Sequence, residues 1–157
     1  MAATVRLAEA RDLPSILAIE RQSFSDPWTA DAFESAFALQ RMRMFVAEAG
    51  AAGGRGGAPV LAGYVVALLL GAEAEIADLA VAPSARRRGI GRLLLDRVVA
   101  DLASRGVMEV FLEVRDSNSA ARTLYETRGF ETVGRRRGYY RHPVEDALIL
   151  KRQTAPG

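Results

Sequence analysis

The stretch IADLAVAPSARRRGIGRLLLDRVVADLASRG, which runs from Ile76 to Gly106, decides the fold. It joins an apolar strand, a glycine turn and a segment whose apolar residues recur at helical spacing. The helix predicted over Gly91 to Arg105 ends at Gly106 and carries one aliphatic stripe: Leu95, Val98, Val99 and Leu102. A strand followed at once by an amphipathic helix is typical of α/β proteins.

The rest of the chain extends this pattern on both sides. The predicted order is β-α-α-β-β-β-α-β-α-β-β with no internal repeat, which indicates a mixed α/β sheet with at least one parallel crossover. A small, flexible hairpin loop is expected over Gly50 to Gly57. The predicted strands are Thr4–Ala8, Met42–Ala49, Val60–Leu70, Glu75–Val81, Glu109–Arg115, Phe130–Arg135 and Ala147–Lys151, and the other helices are Asp12–Phe24, one capped by Thr29, and Ser117–Arg128.

The composition narrows the class of protein. With 157 residues, 50% of them hydrophobic and 25% charged, the chain is expected to form one domain. It contains no cysteine, which excludes disulfides, thiolate catalysis and cysteine-bound metals within the chain. His142 is the only histidine, so two-histidine metal sites are excluded, and we expect no metal cofactor.

The basic residues are almost all arginines. Lys151 is the only lysine among 21 basic residues, and the net charge is only +2. This excess is too small to predict nucleic-acid binding. The sequence shows no secretory signal, and the uncharged run from Gly56 to Ala72 is shorter than the ~20 apolar residues of a membrane helix. We therefore expect a cytoplasmic protein that binds neither membrane nor nucleic acid.

The glycine turn is a candidate phosphate site. In Arg86-Arg87-Arg88-Gly89-Ile90-Gly91 the glycines permit close approach of a ligand, and the free N–H groups of the following helix can bind an anion. The turn lacks the Gly-Lys-Ser/Thr of a Walker A loop, and Leu94 occupies the third glycine position of a dinucleotide fingerprint. The alternative is an ordinary turn with solvated arginines.

Three polar residues further along are candidates for chemistry. Alternation along the strand puts Glu113 on the face of Phe111 and Arg115, where partial burial would suit a general base, although a rim carboxylate paired with an arginine is an equal alternative. Asn118 and Tyr125 share one helix face about 20° apart. Asn118 can instead cap the helix, and Tyr125 can instead be a packing residue.

These segments together resemble a known family. The strand Ile76 to Val81, the Arg86-x-x-Gly89-x-Gly91 turn, the string Leu112-Glu113-Val114-Arg115-x-Ser117-Asn118 and Leu124-Tyr125-x-x-x-Gly129-Phe130 are similar to the GNAT superfamily of N-acetyltransferases. Within it, the RimI-type ribosomal-protein alanine N-acetyltransferases are resembled by Pro27-Trp28, by the string from Leu112 to Tyr125, and by Gly138-Tyr139-Tyr140 with Glu145-Asp146-Ala147. The resemblance covers nearly the whole chain.

The resemblance implies a fold and a co-substrate. The fold is a mixed sheet of about seven strands flanked by about four helices, in a single domain over 1–157 with an ordered core at about 4–151 and a short C-terminal tail. Acetyl-CoA would bind along the strand and over the turn, its pyrophosphate nearest the glycines. The residues implied to contact it are Leu79, Ala80, Val81, Arg86, Arg87, Arg88, Gly89, Ile90, Gly91, Arg92 and Asn118.

The resemblance also implies the catalytic groups and the acceptor. Glu113 matches the general base and Tyr125 the general acid, and a mouth for a protein N-terminus would be formed by Phe24, Trp28, Tyr139 and Tyr140, unless these rings only pack. The implied reaction is direct acetyl transfer in a ternary complex to the N-terminal amine, with alanine of a small-subunit ribosomal protein as acceptor.

Other interpretations remain open from the sequence. The same cofactor site could serve small amines, antibiotics or internal lysines, and an arginine-rich nucleic-acid module or a non-catalytic CoA sensor are more distant alternatives. A monomer or weak dimer is expected. The sequence assigns no role to Gly50 to Gly57 or to Arg135 to Arg137.

Overall fold

The computed structural model describes residues 3–49 and 60–155, and in these ranges one seven-stranded sheet carries four α-helices. The expected α/β class and order of elements are confirmed. The predicted loop over Gly50 to Gly57 lies outside the described residues. The elements are β1 (Thr4–Leu7), α1 (Leu13–Ser23), α2 (Ala30–Ala38), β2 (Met42–Ala49), β3 (Val60–Leu70), β4 (Glu73–Val81), α3 (Ile90–Ser104), β5 (Glu109–Arg115), α4 (Ser119–Thr127), β6 (Glu131–Arg141) and β7 (Val144–Gln153).

The strands lie in the order β1-β2-β3-β4-β5-β7-β6. Every neighbouring pair is antiparallel except β4 and β5, which are parallel and joined by the crossover helix α3. The parallel crossover expected from the sequence is therefore the connection through α3. On the far side of β5, the pair of Lys151 with Glu109 at 2.8 Å links β7 to β5.

Two hydrophobic cores cover the two faces of the sheet. Val65 belongs to the core beneath α3 and α4, whereas the next residue, Val66, belongs to the core beneath α1 and α2. Because successive side chains of a strand point to opposite faces, the two helix pairs pack on opposite faces of the sheet. The stripe predicted on α3 is buried in the first of these cores.

The strands β6 and β7 are longer than predicted. Their pairing continues to Tyr140 with Glu145 and Arg141 with Val144, so Arg136, Arg137 and both tyrosines lie within β6 rather than after it. The stretch RRRGYYR has no alternation of apolar and polar residues because both of its faces are largely exposed. Periodicity could not detect it, and the hydrogen bonds to β7 define the strand.

An extra residue interrupts β4 at the position where the site forms. The register with β3 shifts between Val66 opposite Asp78 and Ala67 opposite Ile76, which leaves Ala77 as a β-bulge. Ala74 and Ile76 belong to the core under α3, whereas Ala77 and Ala80 belong to the core under α1. The bulge therefore turns Asp78 toward the α1 face and Leu79 toward the α3 face.

The parallel strands β4 and β5 separate at the residue before the bulge. Pairing runs from Glu73 with Glu109 to Ile76 with Leu112 and extends no further. Beyond these residues β4 keeps β3 as its neighbour and β5 keeps β7, up to Val81 and Arg115 respectively. A gap consequently opens between the two strands in the middle of the sheet, and it is bordered by backbone groups of both.

Candidate active site

A cavity of about 490 Å³ lies at the gap between β4 and β5. Its wall comes from α1 and the segment after it, the bulged part of β4, the end of β5, the first turns of α4 and the turn between β6 and β7. Side chains from both faces of the sheet therefore line the same cavity. Among the predicted site residues, those that line the cavity are Phe24, Trp28, Leu79, Glu113, Asn118, Tyr125 and Tyr140.

Tyr125 enters the cavity from α4, on the α3 face. Its side chain is 7% exposed and packs edge to face against Phe130, with ring centroids 5.7 Å apart. Burial, and then the negative charge of Asp78, raise the pKa of Tyr125 well above the usual range of a phenol. The hydroxyl group is therefore protonated at neutral pH.

Asn118 lines the same cavity at the start of α4. Its side-chain oxygen accepts a hydrogen bond from the N–H of Ala121 at 3.1 Å, so it is the N-cap of the helix. The capping role considered in the sequence is present. The cap fixes the first turn of α4, on which Asn118 stands beside the cleft together with Tyr125 two turns later.

Glu113 approaches the cavity from the other face of the sheet. One carboxylate oxygen lies 3.4 Å from Nε of Arg136, and the other is buried without a partner among the described residues. On neighbouring β4, the half-buried Glu75 has its pKa raised by burial and by the negative charge of Glu113. A second carboxyl group, which sequence reasoning did not single out, thus stands beside the proposed base.

A second pair of carboxyl groups, Glu20 and Asp78, was also missed by sequence reasoning. Glu20 of α1 is 1% exposed and accepts hydrogen bonds from the hydroxyl of Tyr64 and, at 2.8 Å, from the N–H of Trp28. Asp78 of the bulge is 9% exposed and contacts Glu20. Burial, together with the hydrogen bond and charge of Glu20, raises the pKa of Asp78 to about 9.

A sequence signal for this pair did exist. Glu20 falls on the helix face of Ile16 and Ile19, where both of these apolar side chains are buried. Asp78 interrupts an otherwise apolar segment from Ile76 to Val81. Each residue is a charged group at an apolar position, but only the folded chain shows that they meet.

The turn before α3 presents its arginines to solvent. Gly89, with φ of 75°, adopts the left-handed conformation at the N-cap of α3, and the helix begins at Ile90. Nε of Arg86 donates a hydrogen bond to the carbonyl of Val81 at 3.2 Å, which ties the turn to the end of β4. Within residues 3–49 and 60–155, no carboxylate forms an ion pair with the exposed side chains of Arg86, Arg87, Arg88 and Arg92.

Gly91 allows α3 and α4 to approach each other beside this turn. A Cβ atom at Gly91 would lie 3.1 Å from a methyl group of Leu124. One continuous surface therefore runs from β4 to α3. It consists of the unpaired edge of Leu79 to Val81, the arginine side chains of the turn, and the free N–H groups in the first turn of α3. These groups fit a ligand with a diphosphate and an amide-containing arm.

Aromatic rings surround the other end of the cavity. Phe24, Trp28 and Tyr140 line it, and the guanidinium of Arg115 lies 4.3 Å from the ring centroid of Tyr140. Tyr139 does not line it: this ring is 48% exposed and packs edge to face on Tyr140 and against Arg136. The structure therefore brings three of the four predicted mouth residues together.

Hydrogen bonds of His142 and Arg115 join the segments on either side of this mouth. Nδ1 of His142 lies 2.7 Å from Oδ1 of Asp26. Arg115 donates to the hydroxyl of Ser25 at 3.3 Å and to the carbonyl of Pro143 at 3.0 Å. The segment after α1 is thus connected to the turn between β6 and β7 across the cavity.

The arginines of the second cluster, Arg135 to Arg137, have different contacts. Arg135 pairs with Asp116 and Asp146 at 2.8 and 3.0 Å, which connects β6 to β7 and to the segment before α4. Arg136 contacts Glu113, and Arg137 is exposed. Only Arg136 of this cluster therefore touches a predicted site residue.

In residues 3–49 and 60–155, no cluster of three or more His, Asp or Glu side chains is placed to hold a metal ion. No helix in these ranges is long and apolar enough to span a membrane.

Comparison with known proteins gives a consistent result. The model of a family described as "Acetyltransferase (GNAT) family" matches residues 13–130. The chain is 33% identical over 151 residues to the [ribosomal protein bS18]-alanine N-acetyltransferase of Escherichia coli K12, covering 94% of this chain and 95% of the relative. It is 38% identical over 142 residues to the N-alpha-acetyltransferase RimI of Mycobacterium tuberculosis, covering 87% and 83% of the two chains.

The same likeness holds in three dimensions. The crystal structure of the ribosomal-protein-S18-alanine N-acetyltransferase from Escherichia coli superposes with a TM-score of 0.86 at 32% identity. The match covers 99% of this chain and 96% of that chain. Both the gap between β4 and β5 and the aromatic mouth lie within the matched part.

Proposed function

The chain belongs to the GNAT family of acetyltransferases, and we propose that it is an acetyl-CoA-dependent N-α-acetyltransferase whose acceptor is the N-terminal alanine of a small-subunit ribosomal protein. The likeness to two named N-terminal acetyltransferases across nearly the whole chain carries the proposal. We further propose that it acts in the cytoplasm as a monomer or weak dimer, without binding nucleic acid or metal. The small net charge of +2 supports the nucleic-acid part of this proposal.

The co-substrate fits the surface that runs from β4 to the turn. The unpaired main-chain groups of Leu79, Ala80 and Val81 would bind the pantetheine amides, and Asn118 would contact the arm from α4. The pyrophosphate would lie on the segment from Arg86 to Arg92, with Gly89 and Gly91 closest. Bound there, acetyl-CoA supplies an activated thioester, and the chain supplies its position.

Glu113 is the proposed general base. An α-amino group has a pKa of about 7.7–8.0, so about a tenth of it is neutral at pH 7, whereas lysine near 10.4 offers about one part in a few thousand. Only a modest base is then needed for an N-terminus. Glu113 lines the cavity and would remove the amine proton directly or through a water molecule.

Tyr125 is the proposed general acid. It stands on the opposite face of the sheet from Glu113, where its buried hydroxyl holds a proton for the leaving thiolate. Because the chain has no cysteine to carry the acetyl group, transfer would pass directly from thioester to amine. Both substrates would be bound at the same time, one from each face.

A set of acceptor peptides tests the proposed function. Purified protein and acetyl-CoA are incubated with peptides beginning with Ala, Ser or Met, and with an N-terminally blocked peptide that contains an internal lysine. We expect fastest acetylation of the Ala peptide, on its α-amine, and none of the blocked peptide. Tandem mass spectrometry locates the acetyl group. Modification of the lysine alone would replace the N-terminal assignment with the alternative acceptor class.

A further inference from the structure

Four carboxyl side chains of the described residues line the cavity: Glu20, Asp26, Asp78 and Glu113. Asp26 contacts His142, and Glu113 contacts Arg136. Glu20 and Asp78 form no ion pair with any basic side chain in residues 3–49 and 60–155. Among the cavity-lining carboxyl groups of the described residues, this pair is therefore the one that contacts no basic side chain.

The partners of the pair fix its charge. Glu20 accepts one hydrogen bond at each carboxylate oxygen, from Tyr64 and from the N–H of Trp28. A carboxyl group that hydrogen-bonds to an ionised carboxylate must hold the proton itself, and burial favours that neutral form in Asp78. Together the two groups hold one proton and one negative charge near neutral pH.

One oxygen of the pair lacks a donor. Oδ2 of Asp78 is buried and has no hydrogen-bond partner among the described residues. A buried acceptor without a donor is costly, and native proteins keep such groups mostly where a ligand or water satisfies them. The negative charge nearby makes a cationic donor the best match.

The position of the pair suits the acceptor rather than the co-substrate. The bulge at Ala77 turns Asp78 to the α1 face, the same face as Glu113 and the opposite face from the core of Tyr125. Ionised Asp78 would nevertheless raise the pKa of Tyr125, so the two side chains are close to each other across the gap in the sheet. A group bound at Asp78 on the α1 face therefore stands close to the place where acetyl transfer would occur.

We propose that the Glu20–Asp78 pair binds the α-ammonium group of the acceptor, with an ammonium N–H donating to Oδ2 of Asp78. This inference rests on the proposed N-terminal acetyltransferase function. The pair draws in the charged amine and orients it, while removal of its proton stays with Glu113. One shared negative charge matches the single positive charge of the acceptor's terminus.

Binding without turnover tests this proposal. The protein is saturated with CoA, which carries no acetyl group, and calorimetry measures the Kd of a peptide beginning with Ala and of the same peptide whose α-amine is replaced by hydrogen. We expect the wild type to bind the amine peptide about tenfold or more tightly than the peptide without the amine.

Because one charge is shared, the variants should be non-additive. Asp78→Asn leaves Glu20 ionised and retains an amide oxygen as acceptor, so the preference should stay within about threefold of the wild type. The double variant Glu20→Gln with Asp78→Asn has no charge in the pair, and its preference should fall to about one. Asp96→Asn, which like the double variant removes one negative charge but does so at an outlying ion pair, should keep the wild-type ratio.

The possible results distinguish a failure of the proposed ammonium site from a failure of the proposed acetyltransferase function. Retention of the preference in the double variant, or its loss in Asp78→Asn alone, overturns the shared-charge site. Equal binding of both peptides by the wild type also overturns it and leaves N-terminal acetylation in place. A wild type that binds CoA but neither peptide overturns the proposed function and the inference together.

Discussion

The hydroxyl of Tyr125 combines two properties that a proton donor to a thiolate needs. Its raised pKa keeps it protonated before each turnover, and its position on α4 puts it on the face where the arm of the co-substrate would bind. Burial also makes it a weaker acid than a free phenol. Its contribution is therefore expected to be a hydrogen bond to the developing thiolate that completes into proton transfer.

Tyr125→Phe isolates this contribution, because only the hydroxyl is removed and the ring still packs on Phe130. We expect kcat to fall by about 10²–10⁴ while the Kd for acetyl-CoA changes little. Calorimetry gives the Kd and a thiol-release assay gives kcat. Near-normal turnover would remove Tyr125 from the acid role.

Glu113 and Glu75 can be distinguished by their pH–rate profiles. We expect Glu113→Gln to lower kcat/KM and to abolish or move the acidic limb of the profile, since the group that accepts the amine proton is lost. Glu75→Gln is the matched control from the adjacent strand, and its acidic limb should be retained. The reverse result would assign the base to Glu75, whose pKa is raised by burial.

The sequence predicted individual site residues better than it predicted the contacts between them. The local pattern singled out Glu113, Asn118 and Tyr125, and the structure brings all three to one cavity. It did not single out Asp78, because the bulge that reorients this side chain depends on pairing with β3. Contacts between residues as distant in sequence as Glu20 and Asp78 follow from the fold and not from spacing.

At the scale of elements, the site depends on how closely β3 approaches the second half of β4. A Cβ atom at Gly63 would lie 2.7 Å from the carbonyl oxygen of Ala80 and 3.1 Å from Leu94. The backbone of β4 at this point is the edge proposed to bind the pantetheine arm. A change in the packing of β3 at Gly63 should therefore also change the binding of acetyl-CoA along β4.

Gly63→Ala should reduce both stability and binding. We expect a loss of about 1–3 kcal/mol in the free energy of unfolding, because a backbone atom must move, and weaker binding of acetyl-CoA. Gly134→Ala is the control: its Cβ would meet only the side chain of Ile149, at 3.3 Å. Chemical denaturation and calorimetry measure the two effects. Equal losses in both variants would contradict the coupling.

Sequence periodicity was informative for elements with one buried face. The alternation of β5 and the stripe of α3 are reproduced by the burial of these residues. The bulge left a trace as well, since Ile76, Leu79 and Val81 are spaced by three and then two residues. The long, exposed end of β6 left none, because polar residues on both of its faces give no period.

For the whole molecule, the buried carboxyl pair makes stability depend on pH. Unfolded Asp78 has a pKa near 3.9, whereas burial beside Glu20 raises its folded pKa to about 9. Between these values the folded state holds a proton that the unfolded state has lost. The free energy of unfolding should therefore fall as the pH rises toward 9, by up to about 1.4 kcal/mol per pH unit.

Denaturation curves at pH 6 to 9 test this dependence. The wild type should lose stability across the range, and Asp78→Asn, which cannot ionise at this position, should lose correspondingly less. Asp12 acts at the other end of the scale: its pKa is lowered chiefly by its hydrogen bond from Arg6, so its stabilisation is lost only in acid. Parallel curves for the two proteins would contradict a proton held at Asp78.

The pairing of Lys151 with Glu109 has a consequence for the chemical durability of the protein. Thioesters acylate exposed neutral amines without catalysis, whereas arginine side chains remain protonated and do not compete for such acyl groups. This chain carries a single lysine, and the hydrogen bond that it donates to Glu109 raises its pKa, which keeps its ammonium form. A surface made basic almost entirely by arginine is thereby nearly inert toward the reactive donor that the protein is proposed to bind.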